Sequence, residues 1–213
     1  CLEFRLFLFL YPKSINDIPI ASKTSIDLAL RRIGQQMNRE SDVLFLYMTS
    51  HGLPNRFELE NEPINLDDVD PKWLRETLDK SGIRWKVIVI SACYSGSFVS
   101  ALQSPDTLII TASAADRASF GCSNEADYTY FGRAFFDQAM REQGSLKAAF
   151  KEATETVAKW ENAQGFDPSE PQWVIGKNME MMLPQLEQHL FPQQGVITSA
   201  QTQNVKLDTQ QKP

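Results

Sequence analysis

Short apolar runs of strand length alternate along the chain with segments of helical period. Three of these runs occupy residues 43–50, 86–92 and Thr107–Thr111, and aliphatic and aromatic side chains dominate them. Nearly continuous apolar strands are typical of a parallel sheet that is covered on both faces. The segments between the runs have a dozen or more residues, as helical crossovers between parallel strands require. The sequence therefore predicts an α/β fold, a three-layer sandwich around a mainly parallel sheet.

Capping signals place the helices between these strands. A Thr-x-x-Asp pattern predicts a helix that opens at Thr24. Asp70 followed by Pro71 predicts the start of a second helix, which Gly82 ends. Further helices are predicted at 130–141, from Ser145 onward and at 178–190, and further strands at 5–11 and Gln172–Ile175.

Length and charge restrict the class of protein. A chain of 213 residues fits one domain, which we expect at 1–191, and the Gln- and Thr-rich residues 192–213 read as a disordered tail. The net charge of −6 comes without a basic stripe, so we expect no nucleic-acid partner. The apolar runs are far shorter than the ~20 residues of a membrane helix. Because the chain begins with Cys1 rather than Met, we expect a fragment, with any membrane anchor in upstream sequence.

The cysteines and acidic residues do not form a metal-binding pattern. Cys1, Cys93 and Cys122 are too few and too scattered for a disulfide framework or a zinc site. An acidic cluster at 67–70 lacks the glycine turn and the distal glutamate of a calcium loop. We therefore expect no metal and no other cofactor.

Two of the predicted strands end in residues with catalytic chemistry. His51-Gly52 follows the run at 43–50, and Cys93 follows the run at 86–92. The carboxyl ends of parallel strands meet at one edge of a sheet, where ligands bind. A thiol nucleophile needs a base or an imidazolium beside it, and a developing oxyanion needs backbone N–H donors, which a glycine leaves accessible. His51 as a polar loop residue and Cys93 as inert packing remain the alternatives, and His189, in a predicted helix near the tail, is poorly placed as a base.

The residues around these strand ends resemble a known family. The stretches at 42–52 (DVLFLYMTSHG) and 87–98 (VIVISACYSGSF) are similar to those of the legumain-like cysteine peptidases, best to their bacterial branch, which shares its clan and fold with the caspases. Segments at 111–122, 129–135 and 169–172 agree, so the resemblance covers about residues 4–190. It implies a caspase/legumain-like fold, a peptide or protein substrate, Cys93 as nucleophile and His51 as its partner. The oxyanion hole would be the backbone N–H groups of Gly52 and Cys93.

The resemblance also implies a pocket for the substrate side chain before the cut. Legumains line it with an upstream Arg, a Ser and acidic groups. Ser119 matches the Ser, whereas Ser91 and Arg133 stand where the acidic groups are expected. A shift of preference from Asn toward acidic residues is therefore predicted. The first strand and helix of the family, with the pocket Arg and an Asn that orients the histidine, have no counterpart here, so the chain looks N-terminally truncated.

Two other functions use the same residues or the same fold. A transamidase or peptide ligase would pass the acyl-thioester to an amine instead of water. A non-catalytic α/β binding module would keep the fold without the chemistry, but the presence of both Cys93 and His51 disfavours it. Asp116 and Arg117 are expected to form a loop ion pair, with no direct role in binding substrate.

Overall fold

The computed structural model describes residues 20–61, 64–121 and 128–192. The predicted strand at 5–11, Cys1, Cys122 and nearly all of the expected tail lie outside these ranges. None of the helices within them is long and apolar enough to cross a membrane. The strands are β1 Val43–Thr49, β2 Gly52–Leu53, β3 Arg56–Phe57, β4 Glu60–Asn61, β5 Ile64–Asn65, β6 Trp85–Ser91, β7 Thr107–Thr111 and β8 Gln172–Ile175. The helices are α1 Lys23–Gln36, α2 Pro71–Ser81, a 3-10 turn Ser95–Phe98, α3 Val99–Leu102, α4 Tyr130–Gly132, a π-helix Arg133–Ala139, α5 Met140–Glu142, α6 Leu146–Gln164 and α7 Lys177–Leu190.

The described part of the chain contains a four-stranded sheet in the order β1-β6-β7-β8. β1 pairs with β6 and β6 with β7 in parallel, whereas β8 runs antiparallel to β7. The prediction of a mainly parallel sheet between helices is confirmed, and the bounds predicted for β7 and β8 are those observed. The predictions for β1 and β6 differ from the structure by one residue at one or both ends.

The sheet separates two hydrophobic cores because successive strand residues point to opposite faces. Val87 and Val89 of β6 face a core shared with α4, the π-helix, α6 and α7. Ile88 and Ile90 of the same strand face a second core, shared with α1, α2 and α3. All four side chains have no solvent exposure, so β6 is the buried centre of the sandwich. The nucleophile predicted at its end is therefore carried by a strand that is packed on both faces.

The starts of the helices test the capping predictions. Asp70 caps α2 by accepting a hydrogen bond from the N–H of Trp73 at 2.8 Å, and Gly82 ends the helix at φ = 72°. The predicted start at Thr24 is wrong, because Ser22 is the cap and its Oγ accepts from the N–H of Ser25 at 3.1 Å. Both residues have a hydroxyl suited to this role, and capping at Ser22 gives α1 an earlier start. Ser145 caps α6, as expected.

We predict that Asp70 stabilises the domain through this cap. Replacing an Asp cap by Ala costs about 1 kcal/mol, so Asp70→Ala should lower the free energy of unfolding at neutral pH by about that amount. The capping bond from Trp73 holds the pKa of Asp70 below its usual 3.8. Its ionic contribution is therefore present above about 3.8 and is lost as the pH falls through the lowered value.

Urea unfolding at several pH values measures this contribution. Asp70→Asn is the matched control, since Asn is an equally good cap but does not titrate. Wild type should lose more stability than Asp70→Asn on acidification. Equal stability of Asp70→Ala and wild type at neutral pH would contradict the assignment.

Candidate active site

The register of β1 against β6 brings His51 and Cys93 together. Thr49 lies opposite Ser91 in the parallel ladder, and the N–H of Ser50 donates to the carbonyl of Ser91 at 3.4 Å. His51 and Cys93 each follow these partners by two residues, at corresponding positions on adjacent strands. Neighbouring strands are about 4.8 Å apart. The two predicted catalytic residues thus leave the same edge of the sheet side by side.

Gly52 packs its backbone against Cys93. A Cβ atom at Gly52 would lie 2.5 Å from the backbone oxygen of Cys93 and 3.1 Å from the Cβ of Ala92, so only glycine fits without displacement. Gly52 also begins the hairpin of β2 and β3, in which it lies opposite Phe57. The start of the hairpin therefore packs against the residues that follow β6.

The N–H of Gly52 is directed away from this hairpin. The carbonyl of His51 accepts from the N–H of Glu58 at 3.1 Å, while the N–H of Phe57 donates to Val69 on its other side at 2.8 Å. Antiparallel pairs alternate between hydrogen-bonded and non-hydrogen-bonded positions, so the pair Gly52 and Phe57 is the non-bonded one. This leaves the N–H of Gly52 unused by β3 and suited to an incoming oxygen.

The thiol of Cys93 is held by Ser119. The sulfur accepts from the backbone N–H of Ser119 at 3.3 Å and from its hydroxyl at 3.9 Å, and the thiol donates to the carbonyl of Ser119 at 3.2 Å. Cys93 is half-buried and free of any disulfide. Tyr94 follows at φ = 56°, a left-handed conformation that turns the chain sharply away from the strand. The sulfur therefore sits at a half-buried turn between β6 and the segment that follows β7.

His51 presents its ring to solvent. Within the described residues its backbone carbonyl is bonded to Glu58, and no hydrogen bond joins its ring to the sulfur of Cys93. Catalytic hydrogen bonds are commonly long in enzymes without substrate and tighten in the complex. The arrangement thus leaves the imidazole accessible at the edge of the sheet where Cys93 also lies, with no bond between the two side chains.

The other two predicted pocket residues, Ser91 and Arg133, differ in their burial. Ser91 is fully buried, and its hydroxyl is 2.7 Å from that of Thr129, which caps α4 by accepting from the N–H of Gly132 at 3.0 Å. This burial places Ser91 beneath the site and does not favour the direct substrate contact expected of it. Arg133 is exposed, and its guanidinium lies 5.7 Å from the ring centre of Trp160. Within the described ranges it forms no ion pair with an acidic residue.

A pair of buried serines, neither of which was among the predicted site residues, fixes the turn after Cys93. The hydroxyls of Ser95 and Ser113 are 3.2 Å apart, and each accepts a backbone N–H from the other residue at 3.1 Å. Ser113 also donates to the carbonyl of Ala92 at 3.1 Å. The sequence signal that could have indicated the contact between Ser95 and Ser113 is the presence of small polar residues shortly after each of two neighbouring strands. The ends of β6 and β7 are consequently locked together beside Cys93.

The charged residues near the site form a loop ion pair and no metal-binding group. Nε of Arg117 lies 4.0 Å from Asp116, as expected, and a terminal nitrogen of Arg117 lies 3.6 Å from Glu170. Across the part of the chain that is described, no group of three or more His, Cys, Asp or Glu side chains could hold a metal ion.

The comparisons with known proteins define the class and then the family. Caspase-1 from Spodoptera frugiperda is similar in structure, with a TM-score of 0.53 over 75% of this chain and 71% of that chain, at 14% sequence identity. This likeness shows the fold, the caspase-like α/β sandwich. The Peptidase C13 family model matches residues 30–182, so the chain belongs to the Peptidase C13 family, that of the legumains, and the molecule is a cysteine peptidase, a hydrolase. Among curated proteins, none matches the sequence.

We predict that Gly52→Ala impairs peptidase activity without unfolding the domain. The added methyl group would meet the backbone oxygen of Cys93 at 2.5 Å, so the hairpin or the nucleophile must move. A misplacement of about 1 Å can cost about 100-fold in rate. We expect kcat/KM to fall by roughly that factor.

Leu53→Ala is the control for this substitution, because Leu53 is on the same hairpin and 42% exposed. It should leave turnover near that of wild type. Full activity of Gly52→Ala would show that the contact between Gly52 and Cys93 is not needed.

Proposed function

We propose that the protein is an endopeptidase that cleaves peptide bonds through Cys93 and His51. The observation that supports this most directly is the parallel register of β1 and β6, since His51 and Cys93 each follow the last pair, Thr49 and Ser91, by two residues. Membership of the Peptidase C13 family supplies the reaction class, hydrolysis of peptides or proteins by a cysteine peptidase. The structure is consistent with this chemistry at one edge of the sheet.

The reaction would begin with transfer of the Cys93 thiol proton to His51 and attack of the sulfur on the carbonyl carbon of the scissile bond. The carbonyl oxygen gains a negative charge, which the N–H groups of Gly52 and Cys93 would stabilise as an oxyanion hole. Protonated His51 would give its proton to the leaving amine as the C–N bond breaks. The acyl group then remains on sulfur as a thioester.

Water would complete the cycle. Neutral His51 would accept a proton from water as the oxygen attacks the thioester carbonyl. The C–S bond would then break while His51 returns the proton to the leaving sulfur. The products are a free carboxylic acid and the restored thiol. Since the ring of His51 is exposed in this structure, it has room to serve both the leaving amine and the incoming water.

Ser119 would border the pocket for the residue before the cut. Its backbone N–H and carbonyl already contact the sulfur, at 3.3 and 3.2 Å, and the acyl group of a substrate must lie on that sulfur. A bound substrate would therefore displace or share these contacts. This position supports the substrate-binding role expected of Ser119.

The proposed pair is tested by substitution. In the full protein, Cys93→Ala and His51→Ala should each lower turnover of a peptide substrate by several powers of ten, with near-native folding. His189→Ala is the matched control, because His189 is the other histidine of the chain and lies on α7. An electrophilic probe with Asn or Asp before the reactive group should label Cys93, as read by mass spectrometry. Substantial turnover by Cys93→Ala would refute the mechanism.

We further propose that Arg133 shifts the preference before the cut from Asn toward acidic residues. The buried Ser91 hydroxyl contacts Thr129, and Thr129 caps the helix that leads into Arg133. Ser91 thus connects the nucleophile strand to the start of this helix without adding the carboxylate that legumains have at its position. The guanidinium of Arg133 is exposed and lacks an acidic partner in the described ranges, so a substrate carboxylate could form a charge-assisted pair with it.

A peptide library measures this preference. Arg133→Ala should lower cleavage after Asp and Glu by about tenfold or more relative to Asn, since a hydrogen bond to a charged group is worth about 1.5–3 kcal/mol. Arg141→Ala is the control, because that exposed arginine, beyond the π-helix, pairs with Asp137 at 3.0 Å. A strict Asn preference, unchanged in Arg133→Ala, would show that Arg133 does not shape the pocket.

A further inference from the structure

Glu161 is a buried carboxylate in an unfavourable place. It lies in the last turn of α6 with 3% of its surface exposed, at the end of the buried stripe Ala149, Ala153 and Val157. Burial of a charged group is costly unless hydrogen bonds compensate for the lost water. A negative charge near the C-terminus of a helix is also opposed by the helix dipole. An apolar side chain would pack there without either cost. The presence of a carboxylate at this position therefore requires a specific explanation.

One oxygen of Glu161 holds the segment that leads into β8. Its Oε2 accepts from the backbone N–H of Ser169 at 3.2 Å, and the carbonyl of Ser169 accepts from the N–H of Ala114 at 2.8 Å. Ser169 has no exposed surface, so both bonds are shielded from water. The other oxygen of Glu161 and the hydroxyl of Ser169 have no hydrogen-bond partner among the described residues. The backbone contact is therefore the one that the carboxylate makes.

Ala114 belongs to the loop at 112–121, which contacts both Cys93 and the residue after it. The carbonyl of Arg117 in this loop accepts from the N–H of Tyr94 at 2.8 Å, and Ser119 donates to the sulfur of Cys93 at 3.3 Å. The N–H of Arg117 also bonds the carbonyl of Ala114 at 3.3 Å, which ties the start of the loop to its middle. A chain of hydrogen bonds thus runs from Glu161 through Ser169, Ala114 and Arg117 to the N–H of Tyr94, the residue after Cys93. The same loop holds the thiol itself through Ser119.

Backbone strain occurs at both ends of this chain. Tyr94, next to the nucleophile, has φ = 56°, and Glu170, next to Ser169, has φ = 55°. A non-glycine residue in the left-handed region persists when the surrounding structure fixes it. The bond to Arg117 fixes Tyr94, and the bond from Ser169 to Glu161 fixes the residue before Glu170. Loss of the carboxylate would remove the hydrogen bond that holds Ser169 and so would allow Glu170 to leave its left-handed conformation.

We propose that Glu161 is a positioning residue that aligns the loop at 112–121 with Cys93. The proposal rests on the proposed function, since the loop is aligned for the attack of Cys93 on substrate. It assigns Glu161 no contact with substrate. Its effect on the reaction passes through the backbone of Ser169 and Ala114.

Substitutions that separate packing from hydrogen bonding test this role in the full protein. Glu161→Met keeps the length of the side chain but removes the acceptor, and Glu161→Gln keeps one carbonyl oxygen as an acceptor. Glu161→Met should lower kcat at least about tenfold with KM nearly unchanged, as expected of misalignment at the reacting atoms. Amide hydrogen exchange should become faster at 112–121 and 93–97. Glu161→Gln should stay close to wild type, as should Glu155→Met, which alters an exposed position of the same helix.

Two outcomes would overturn the proposal. One is wild-type kcat and exchange in Glu161→Met, and the other is equal impairment of Glu161→Gln and Glu161→Met. Should Glu161→Met fail to fold, Glu161→Asp gives the second test, because it keeps the charge but shortens the reach by one methylene. It should accelerate exchange at 112–121, and unchanged exchange would overturn the proposal. The exchange measurement does not depend on which residue is the nucleophile, so it would still decide the role of Glu161 if Cys93→Ala retained turnover.

Discussion

The parallel pairing of β1 with β6 is the constraint on which the site depends. Hydrogen bonds in a parallel ladder fix the register, and a slip by one residue would turn every side chain of a strand to the opposite face. β6 tolerates no such slip because Val87 and Val89 fill one core while Ile88 and Ile90 fill the other. The same packing that stabilises the sandwich thus sets the relative positions of His51 and Cys93. Their proximity follows from the hydrophobic core, without any bond between the two side chains.

Small residues allow the segments beyond the strands to approach one another. Gly52 leaves room for the backbone of Cys93, and the hydroxyls of Ser95 and Ser113 join the turns after β6 and β7. Larger side chains at these positions would push the loops apart and open the edge of the sheet to water. The active-site edge is therefore held by backbone contacts and short hydrogen bonds, whereas the sheet is held by apolar packing. Loops built in this way can position a thiol while leaving it accessible.

The strands and the capped helices were largely predictable because their signals are local. β7 and β8 have the predicted bounds, and the Asp70-Pro71 start and Gly82 end of α2 are those observed. The start of α1 was not predictable in this way. Ser22 and Thr24 both have a hydroxyl that can cap a helix, and the local sequence pattern does not decide which of the two is the cap. The helix predicted at 130–141 contains the π-helix Arg133–Ala139, which the helical period of the sequence does not reveal.

The sequence by itself determined the residues on which the proposed chemistry rests: a thiol and an imidazole, each following an apolar strand, in segments that resemble the legumain-like peptidases. Those features are readable because strand periodicity and the small residues after each strand are properties of short segments. Tertiary structure alone decided that Ser91 is buried against Thr129, that Ser119 holds the sulfur, and that Glu161 bonds the backbone of Ser169, which in turn bonds Ala114. Each of these contacts joins residues that are far apart in sequence or on different elements. Their geometry depends on how the helices pack on the sheet, and no local pattern in the chain encodes that packing.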